Sequence, residues 1–586
     1  MIILPAIFTD RAVLQQGRKA AVWGETDGSG IEVLLLKPGR EDKDMSAACE
    51  QGKAVTVCCV KAGLYDVAPH NSKVPPLPSD VNVATDRRGF IAYLEPQEAG
   101  GPYMLVIRET MAGGSETVLH DIWFGEVFLA GGQSNMELNL INSRNGAQEV
   151  AVSEDPNVRF YCTPKVAYVG DELYEQERKS SWTYCNPETS YYQSAIAYYF
   201  ARDLSRRLGR MVGIINCNWG GTSATCWISR KTLEAHDELM PYLEAYERAA
   251  SAYSGDEYLK ALEEYKAYDI EFNRKLADYY ATAESPNWND AIKVCGECRY
   301  PGPMGPRTWC RPNGLYESML RRVAPYTLAA FLFYQAEEDD NRPYTYAKLL
   351  PVLMDEWRRE WNNAEQPFLL VQLPGYNGED ERDLMNWPII REIQQETSDR
   401  DQNSAMAVTI DLGHRTNVHP LDKKPVGERL SLQAQYLLYG LLSREEASGP
   451  VFDRAEFDSH RVSIYFNNAA DGFLVKLLAE WNAYDPDEAG GGRFEDAVTE
   501  NLDKISGFEL AGADFKYHEA KVTGVEGNRL TIESDGVDEP KYARYLWRNY
   551  TQVTLYGRRG IPAAPFRTDK NDKALPLGSR QGKLLE

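Results

Sequence analysis

The chain has 586 residues, enough for about three to five domains of ordinary size. A hydrophobic fraction of 43% and an aromatic fraction of 11% exclude a disordered chain. The 64 basic and 87 acidic side chains give a formal net charge of −23, which disfavours nucleic acid and anionic membrane surfaces as partners. The sequence has no apolar run near the roughly 20 residues that a membrane-spanning helix needs.

Two features bear on the compartment in which the protein folds: its first residues and its cysteines. The start, MIILPAIFTDR, lacks the basic segment and small-residue cleavage site of a secretory signal. We therefore expect a cytoplasmic protein, or a secreted one whose signal peptide is absent from this chain. The 10 cysteines are too sparse for a disulfide scaffold, and the CxxC pair of Cys295 and Cys298 lacks a second pair to complete a zinc site. Reduced structural thiols are favoured, with a metal or a disulfide as alternatives.

Residues 1–122 are predicted to form a β-sandwich-like domain. Short apolar runs such as VLLLK, AVTVCCV, FIAYL and YMLVIRE are separated by clusters of turn-forming residues. From residue 123 the pattern changes to strands that alternate with helices, beginning with FGEVFLAGG and AIAYYFARDLSRRL. Such alternation is typical of parallel βαβ units, so residues 123–449 are predicted to form an α/β domain.

A helical insertion is predicted at about 232–298. Leu259, Leu262, Tyr265 and Phe272 recur at helical spacing and indicate one apolar stripe of a long helix. We expect this helix to pack on the α/β core, and a tyrosine-lined sugar lid is the alternative. After it, residues 450–568 return to strands and predict a second β domain, while residues 569–586 are polar and are expected to form a flexible tail.

The sharpest local signal is GGQSNM at Gly131–Met136, where an apolar strand meets the start of a helix. This position would put the hydroxyl of Ser134 at the C-terminal edge of the sheet, where α/β proteins place their sites. It would also put the Ser134 N–H at a helix N-terminus, facing any oxyanion formed nearby. A catalytic nucleophile is one interpretation of Ser134, and a simple helix cap is the other.

A nucleophilic serine needs a base to take its proton. Five of the seven histidines fall in the predicted β domains or at the start of the insertion, which leaves His414 and His419 in the segment DLGHRTNVHPLDKKPVGERL. This segment follows the predicted strand AMAVTIDLG, so it too begins at the C-terminal edge of the sheet. We expect His419 to lie over Ser134 as its general base, and a structural histidine is the alternative.

Several segments, in one order, resemble the sialate O-acetylesterase family of the SGNH (GDSL-like) hydrolase superfamily. They include GEVFLAGGQSNME, WGGTSATCWIS, RPNGLYESML, FYQAEEDD and HPLDKKPVGERL, with IFTDRAVLQQ and LYGRRGIPAAPFRT in the outer regions. The resemblance implies an SGNH-hydrolase-like parallel sheet with helices on both faces, flanked by N- and C-terminal β-sandwich-like domains. It also implies a carbohydrate esterase with Ser134 as nucleophile and His419 as base.

The resemblance assigns roles to further residues. Gly221 matches a glycine whose N–H donates to the oxyanion, and Gln335 matches a position that can supply a side-chain amide donor. Glu337 is expected to brace its loop or to bind sugar hydroxyls. Ala336 stands where the family has glycine, and we expect a small change of geometry there.

The third catalytic residue stays open at this stage. The superfamily often has Asp two or three residues before the histidine, but those positions hold Thr416 and Asn417. Asp411 at the predicted strand end could fill the role, or Asn417 could hold the useful tautomer through its amide oxygen. A Ser–His dyad helped by a backbone carbonyl is the third alternative.

The implied activity is removal of O-acetyl groups from carbohydrate, with O-acetylated sialic acid as the first candidate substrate. The reaction would pass through an acetyl-enzyme and would need no metal or organic cofactor. Acetylxylan or another acetylated polysaccharide is the alternative substrate. A non-catalytic glycan-binding protein is the alternative from a different class. The expected partner is an O-acetylated sugar or glycan, with neither nucleic acid nor membrane, and the oligomeric state is not predicted.

Overall fold

The computed structural model describes residues 1–37, 54–67, 72–74, 87–282, 288–378, 383–477, 497–499 and 502–570. Within this part of the chain, none of the helices combines the length and apolar character that a bilayer crossing needs. Most of the tail predicted at 569–586 lies outside the described residues. Asp569, at its predicted start, is buried and accepts a hydrogen bond from Arg544 at 3.2 Å.

The N-terminal region is built from strands, because its apolar residues come in short runs between turns. The strands are β1 (Ile2–Ile3), β2 (Val13–Gln15), β3 (Ala20–Thr26), β4 (Ile31–Lys37), β5 (Val55–Lys61), β6 (Gly63–Asp66), β7 (Arg88–Leu94) and β8 (Gly100–Glu109). Strands β1, β3, β7 and β6 form one antiparallel sheet in that order. Strand β4 pairs antiparallel with β5 and β8 in a second sheet.

One long strand, β9 (Glu116–Gly132), joins the N-terminal sheet to the central one. Its first part pairs antiparallel with β8, and its second part lies between two parallel neighbours of the central sheet. The boundary predicted between residues 122 and 123 therefore falls inside a continuous strand. The two regions share this strand instead of being joined by a linker.

The central sheet positions the site. Its further strands are β10 (Asp155–Cys162), β11 (Thr183–Cys185), β12 (Val212–Asn218), β13 (Ala330–Tyr334), β14 (Phe368–Val371) and β15 (Ser404–Ala407). Their order is β11-β10-β12-β9-β13-β14-β15, and every pair except β10–β11 is parallel. Strands β9, β12 and β13 are neighbours, so their C-terminal ends meet at one edge of the sheet.

Helices follow these strands in an α/β organisation, as predicted. They are α1 (Ser134–Glu137), α2 (Gly146–Ala151), α3 (Asp171–Glu177), α4 (Pro187–Ser190), α5 (Ala195–Leu208), α6 (Arg230–Glu234), α7 (Met240–Ala250), α8 (Gly255–Thr282), α9 (Trp288–Cys295), α10 (Arg321–Val323), α11 (Tyr346–Glu360), α12 (Asn386–Arg400), α13 (Lys424–Leu437) and α14 (Arg444–Ala447). Helix α5 packs against α13, and α11 packs against α12. The apolar residues of both helix pairs belong to the hydrophobic core.

Helices α6 to α9 form a helical segment between the central strands β12 and β13. Leu262, Tyr265 and Phe272 of the predicted stripe are buried in α8. Leu259 is 40% exposed, so the stripe is narrower than its spacing predicted. The nine described cysteines are all free thiols, including Cys295 and Cys298.

The C-terminal region is a second set of antiparallel strands. They are β16 (Val451–Asp458), β17 (Arg461–Asn467), β18 (Phe473–Leu477), β19 (Ala497–Thr499), β20 (Phe508–Ala511), β21 (Tyr517–Glu526), β22 (Arg529–Glu533), β23 (Tyr542–Tyr545), β24 (Leu555–Gly557) and β25 (Phe566–Arg567). Seven of them form a sheet in the order β16-β17-β22-β21-β20-β23-β25, and β19, β18 and β24 form a smaller one.

Candidate active site

Ser134 and His419 meet at the C-terminal edge of the central sheet. The Oγ atom of Ser134 lies 2.8 Å from Nε2 of His419, although the two residues are 285 positions apart. Ser134 begins α1 immediately after β9, and His419 lies in the loop that leads from β15 to α13. A serine hydroxyl within hydrogen-bond reach of an imidazole is the arrangement in which the imidazole can take the hydroxyl proton.

The turn that presents Ser134 is set by close approach of two strands. Gly132 has φ +132°, and a Cβ there would collide with the carbonyl oxygen of Tyr334. The N–H of Gln133 donates to that same carbonyl at 3.1 Å. Because only glycine tolerates both the backbone angle and the contact, β9 and β13 stay together up to the point where Ser134 leaves the sheet.

Asn135, to which the sequence pattern assigns no role, links the segment of Ser134 to the histidine loop. Its Nδ2 donates to Oε1 of Glu337 and, at 2.9 Å, to the carbonyl oxygen of Val418. Its Oδ1 accepts from Nζ of Lys423 at 2.5 Å. Asn135 is completely buried. The amide side chain directly after the serine was the available signal.

Burial, together with the positive charge of Lys423, lowers the pKa of His419 to about 4. The imidazole is therefore neutral at pH 7. A neutral imidazole carries one N–H and one lone pair, so Nε2 can accept from Ser134 when the proton is on Nδ1.

Asp411, one of the three alternatives for the third catalytic residue, bonds to Arg429 in this structure. Its two carboxylate oxygens accept from Arg429 at 2.6 and 2.7 Å, because α13 places that guanidinium directly against the end of β15. The alternative, Asn417, is also engaged, since its Oδ1 accepts from the backbone N–H of His419 at 2.8 Å. Among the described residues, no carboxylate lies within hydrogen-bond distance of His419, which favours the dyad alternative.

Two backbone N–H groups beside Ser134 are available to an oxyanion. Gly220 packs against the nucleophile so closely that a Cβ on it would lie 3.1 Å from Cβ of Ser134. Within the described part of the chain, neither the N–H of Ser134 nor that of Gly221 has a hydrogen-bond acceptor. Unpaired donors beside a nucleophile are what an oxyanion requires.

Gln335, predicted to donate to the oxyanion, does not point into the site. Its Nε2 donates to Oε1 of Gln133 at 2.7 Å and to the carbonyl oxygen of Thr222 at 2.5 Å, and the residue is 1% exposed. The amide therefore ties together the segments that follow β9, β12 and β13. Gln335 is a brace of the sheet edge and not an oxyanion donor in this structure.

Two acidic residues that follow β13, Glu337 and Asp339, form hydrogen bonds within the protein. Glu337 is buried and bonded to Asn135, which fits the predicted bracing role and leaves it no access to sugar hydroxyls. Asp339 accepts from Oγ of Ser223 at 2.5 Å and from the N–H of Ala224 at 3.0 Å. Burial raises the pKa of Glu337 to about 7 and that of Asp339 to about 6.

Comparisons with known proteins find similarity to carbohydrate esterases. Residues 302–431 match the model of a family described as carbohydrate esterase, sialic acid-specific acetylesterase. The sialate O-acetylesterase of Mus musculus is 26% identical over 377 residues, which cover 60% of this chain and 63% of that protein. The sialate O-acetylesterase of Homo sapiens is 24% identical over 400 residues, 64% of each chain. The chain thus matches less than two thirds of the length of these relatives.

A solved structure extends the similarity to nearly the whole chain. The carbohydrate acetylesterase from Xanthomonas citri superposes with a TM-score of 0.65 at 25% identity, covering 97% of this chain and 100% of that one. The family model and the solved structure that this chain resembles are both of carbohydrate esterases. Within that class, the predicted resemblance to the sialate O-acetylesterase family is confirmed, since residues 302–431 match the model of a sialic acid-specific acetylesterase family and curated sialate O-acetylesterases are similar to this chain.

Proposed function

We propose that this chain is a serine esterase of the SGNH-hydrolase type that removes O-acetyl groups from carbohydrate, with O-acetylated sialic acid as its substrate. The observation that carries the proposal is the 2.8 Å contact between Ser134 Oγ and His419 Nε2. The family match and the names of the relatives support the choice of an acetylated sugar. The expected partner is therefore a glycan that carries O-acetylated sialic acid.

In the first half of the reaction, neutral His419 takes the proton of Ser134 while Oγ attacks the acetyl carbonyl carbon. The carbonyl oxygen becomes an oxyanion that accepts from the N–H groups of Ser134 and Gly221. When this tetrahedral intermediate collapses, the bond between the acetyl carbon and the sugar oxygen breaks. The leaving sugar hydroxyl takes the proton from His419.

In the second half, water replaces the sugar hydroxyl. His419 takes a proton from the water, whose oxygen attacks the acetyl-enzyme carbonyl, and the oxyanion is held by the same two N–H groups. Collapse breaks the ester bond to Ser134, returns the proton to Oγ and releases acetate. Every proton moves through His419.

The first experiment asks whether Ser134 and His419 carry the reaction. Hydrolysis of p-nitrophenyl acetate is measured for the wild type, for Ser134→Ala and for His419→Ala. We expect either variant to lose about 10³-fold or more in kcat, because the nucleophile and base act as one unit. Ser251→Ala is the control, since it removes an exposed hydroxyl that bonds only to a nearby helix carbonyl. A Ser134→Ala variant as fast as the wild type would exclude the nucleophile.

The second experiment addresses the sugar. Acetate release is compared between O-acetylated sialosides and acetylated xylo-oligosaccharides, and we expect the higher kcat/KM for the sialosides. A preference for xylo-oligosaccharides would identify an acetylated polysaccharide as the substrate and leave the proposed deacetylation mechanism unchanged. Glycan binding without acetate release from any compound would favour the non-catalytic alternative.

A further inference from the structure

The two glycines beside the nucleophile are held by side chains from outside the central sheet. The N–H of Gly220 donates to Glu137, on the short helix that Ser134 begins. The carbonyl oxygen of Gly220 accepts from Nε1 of Trp309 at 3.1 Å. The carbonyl oxygen of Gly221 accepts from the hydroxyl of Tyr300 at 3.0 Å. Within the part of the chain that the structure describes, three of the four backbone polar groups of this pair have partners, and the N–H of Gly221 is left for a ligand.

The hydrogen bond from Trp309 controls where that N–H points. The carbonyl of Gly220 and the N–H of Gly221 belong to one planar peptide unit, so they point in opposite directions. Fixing the carbonyl on the indole therefore fixes the direction of the N–H. Gly221 has φ +67°, and a two-glycine segment has the backbone freedom to rotate this peptide if nothing holds it.

Trp309 and Tyr300 lie on the segment that follows the helical segment α6 to α9. Their rings are tilted against each other with centroids 6.0 Å apart. The loop around Trp309 is anchored on helix α8, because the hydroxyl of Tyr258 contacts Oγ1 of Thr308 at 3.2 Å and accepts from the N–H of Arg307 at 3.0 Å. The two contacts of Tyr258 and the hydrogen bond from Trp309 to Gly220 thus connect the helical segment to the peptide next to Ser134.

We propose that Trp309 is a positioning residue that aims the N–H of Gly221 at the oxyanion, with Tyr300 holding the next carbonyl. The helical segment then serves catalysis as the support of this pair and not as a sugar lid. The inference rests on the proposed esterase function. It adds the prediction that a side chain touching neither substrate nor Ser134 changes the stability of the transition state.

The test compares Trp309→Phe and Tyr300→Phe with two matched controls. Trp123→Phe removes an indole N–H bonded to Asp121 at 2.8 Å in the N-terminal region, and Tyr268→Phe removes a hydroxyl of helix α8 that donates to the carbonyl oxygen of Glu297. Each variant is assayed for kcat and KM on p-nitrophenyl acetate. Inhibition by methylboronic acid is also measured, because its tetrahedral serine adduct places an oxygen where the oxyanion forms.

We expect Trp309→Phe to lower kcat about 10-fold with KM almost unchanged, less than the about 10²–10³-fold cost of deleting an oxyanion donor. Methylboronic acid should bind more weakly by a similar factor, and the pH midpoint of the acid limb should not move, because His419 keeps its surroundings. Tyr300→Phe should show the same pattern with a smaller effect. Tyr300→Phe removes only a hydroxyl group and should therefore fold. It tests the positioning role if Trp309→Phe does not fold.

Two results would overturn the inference while leaving the esterase proposal intact. One is that Trp309→Phe and Tyr300→Phe match their controls in kcat and boronate affinity while Ser134→Ala is inactive. The other is that these two variants raise only KM, which would show that the rings of Trp309 and Tyr300 contact the substrate. A wild type that releases no acetate from any acetyl ester would instead refute the esterase proposal, and the inference with it.

Discussion

Asn135 Nδ2 donates to the carbonyl oxygen of Val418 at 2.9 Å, so the residue after Ser134 is bonded to the residue before His419. This contact crosses 283 positions of the chain. It is surrounded by two ionisable side chains, Glu337 and Lys423, that bond to the same amide. The distance between Ser134 and His419 is therefore set by a buried polar network and not only by the sheet.

Replacing Asn135 with alanine should weaken both folding and catalysis. The change removes three hydrogen bonds and leaves the buried Lys423 and Glu337 without this partner, so we expect a loss of about 2–4 kcal/mol in the free energy of unfolding. We expect kcat to fall about 10-fold or more, because a shift of about 1 Å between reacting groups is costly. Urea denaturation and p-nitrophenyl acetate kinetics measure the two effects.

Asn216→Ala is the matched control for this prediction. Asn216 is buried in β12 and its Nδ2 donates to Gln193 at 2.8 Å, away from the contact between Ser134 and His419. It should lower the free energy of unfolding while leaving kcat per folded molecule close to the wild type. If Asn135→Ala behaves in the same way, the network is structural and does not set the catalytic distance.

The ion pair between Asp411 and Arg429 gives a second prediction. A triad aspartate replaced by asparagine typically costs about 10⁴-fold in kcat. Since Asp411 here bonds to Arg429, Asp411→Asn should instead leave kcat within about 10-fold and lower the free energy of unfolding by about 3 kcal/mol. Combining it with Arg429→Met, which removes the unpaired charge, should recover part of that stability. A 10⁴-fold loss of kcat in a stable Asp411→Asn protein would restore Asp411 to the triad.

The proximity of Ser134 and His419 could be predicted from the sequence because one rule of α/β folds applies to both residues. Ser134 and His419 both follow apolar strands of an α/β pattern, and the C-terminal ends of parallel strands share one edge. That rule needs no knowledge of the exact strand order. It predicts that the two residues are near each other, and the structure places them at 2.8 Å.

Other features depend on contacts that no local pattern encodes. Gln335 has two amide hydrogens, and which acceptors they meet depends on how the segments after three strands approach one another. Arg429 lies 18 positions after Asp411, in helix α13. Only the packing of that helix shows that the two side chains form an ion pair. The continuity of strand β9 has no local signal, because a change from a β pattern to an α/β pattern looks the same in sequence whether a linker or one strand joins the two regions.

A third prediction concerns Ala336, which stands where the family has glycine. Its φ is +135°, in the region that favours glycine, and the residue is completely buried. Backbone strain of this kind costs about 1–3 kcal/mol, so Ala336→Gly should raise the free energy of unfolding by about 1 kcal/mol after the greater entropy of unfolded glycine is subtracted. The control Ala434→Gly, inside helix α13, should lower it by about 1 kcal/mol. Destabilisation by both changes would show that Ala336 is not strained.

The pH dependence of the reaction gives the last prediction. The pKa of His419 is lowered to about 4, and the proton acceptor is the neutral imidazole, so kcat/KM should be flat near pH 7 and fall only as the pH drops through about 4. Lys423 contributes to the lowering by charge repulsion, so Lys423→Gln should raise the pKa of His419 and move this acid limb to higher pH, whatever its effect on the plateau. Lys424→Gln removes the charge of the adjacent but exposed lysine and should leave the limb in place. An acid limb near 6.5 in the wild type would contradict the lowered pKa of the partly buried His419. Acid limbs at the same pH in Lys423→Gln and Lys424→Gln would contradict its coupling to Lys423.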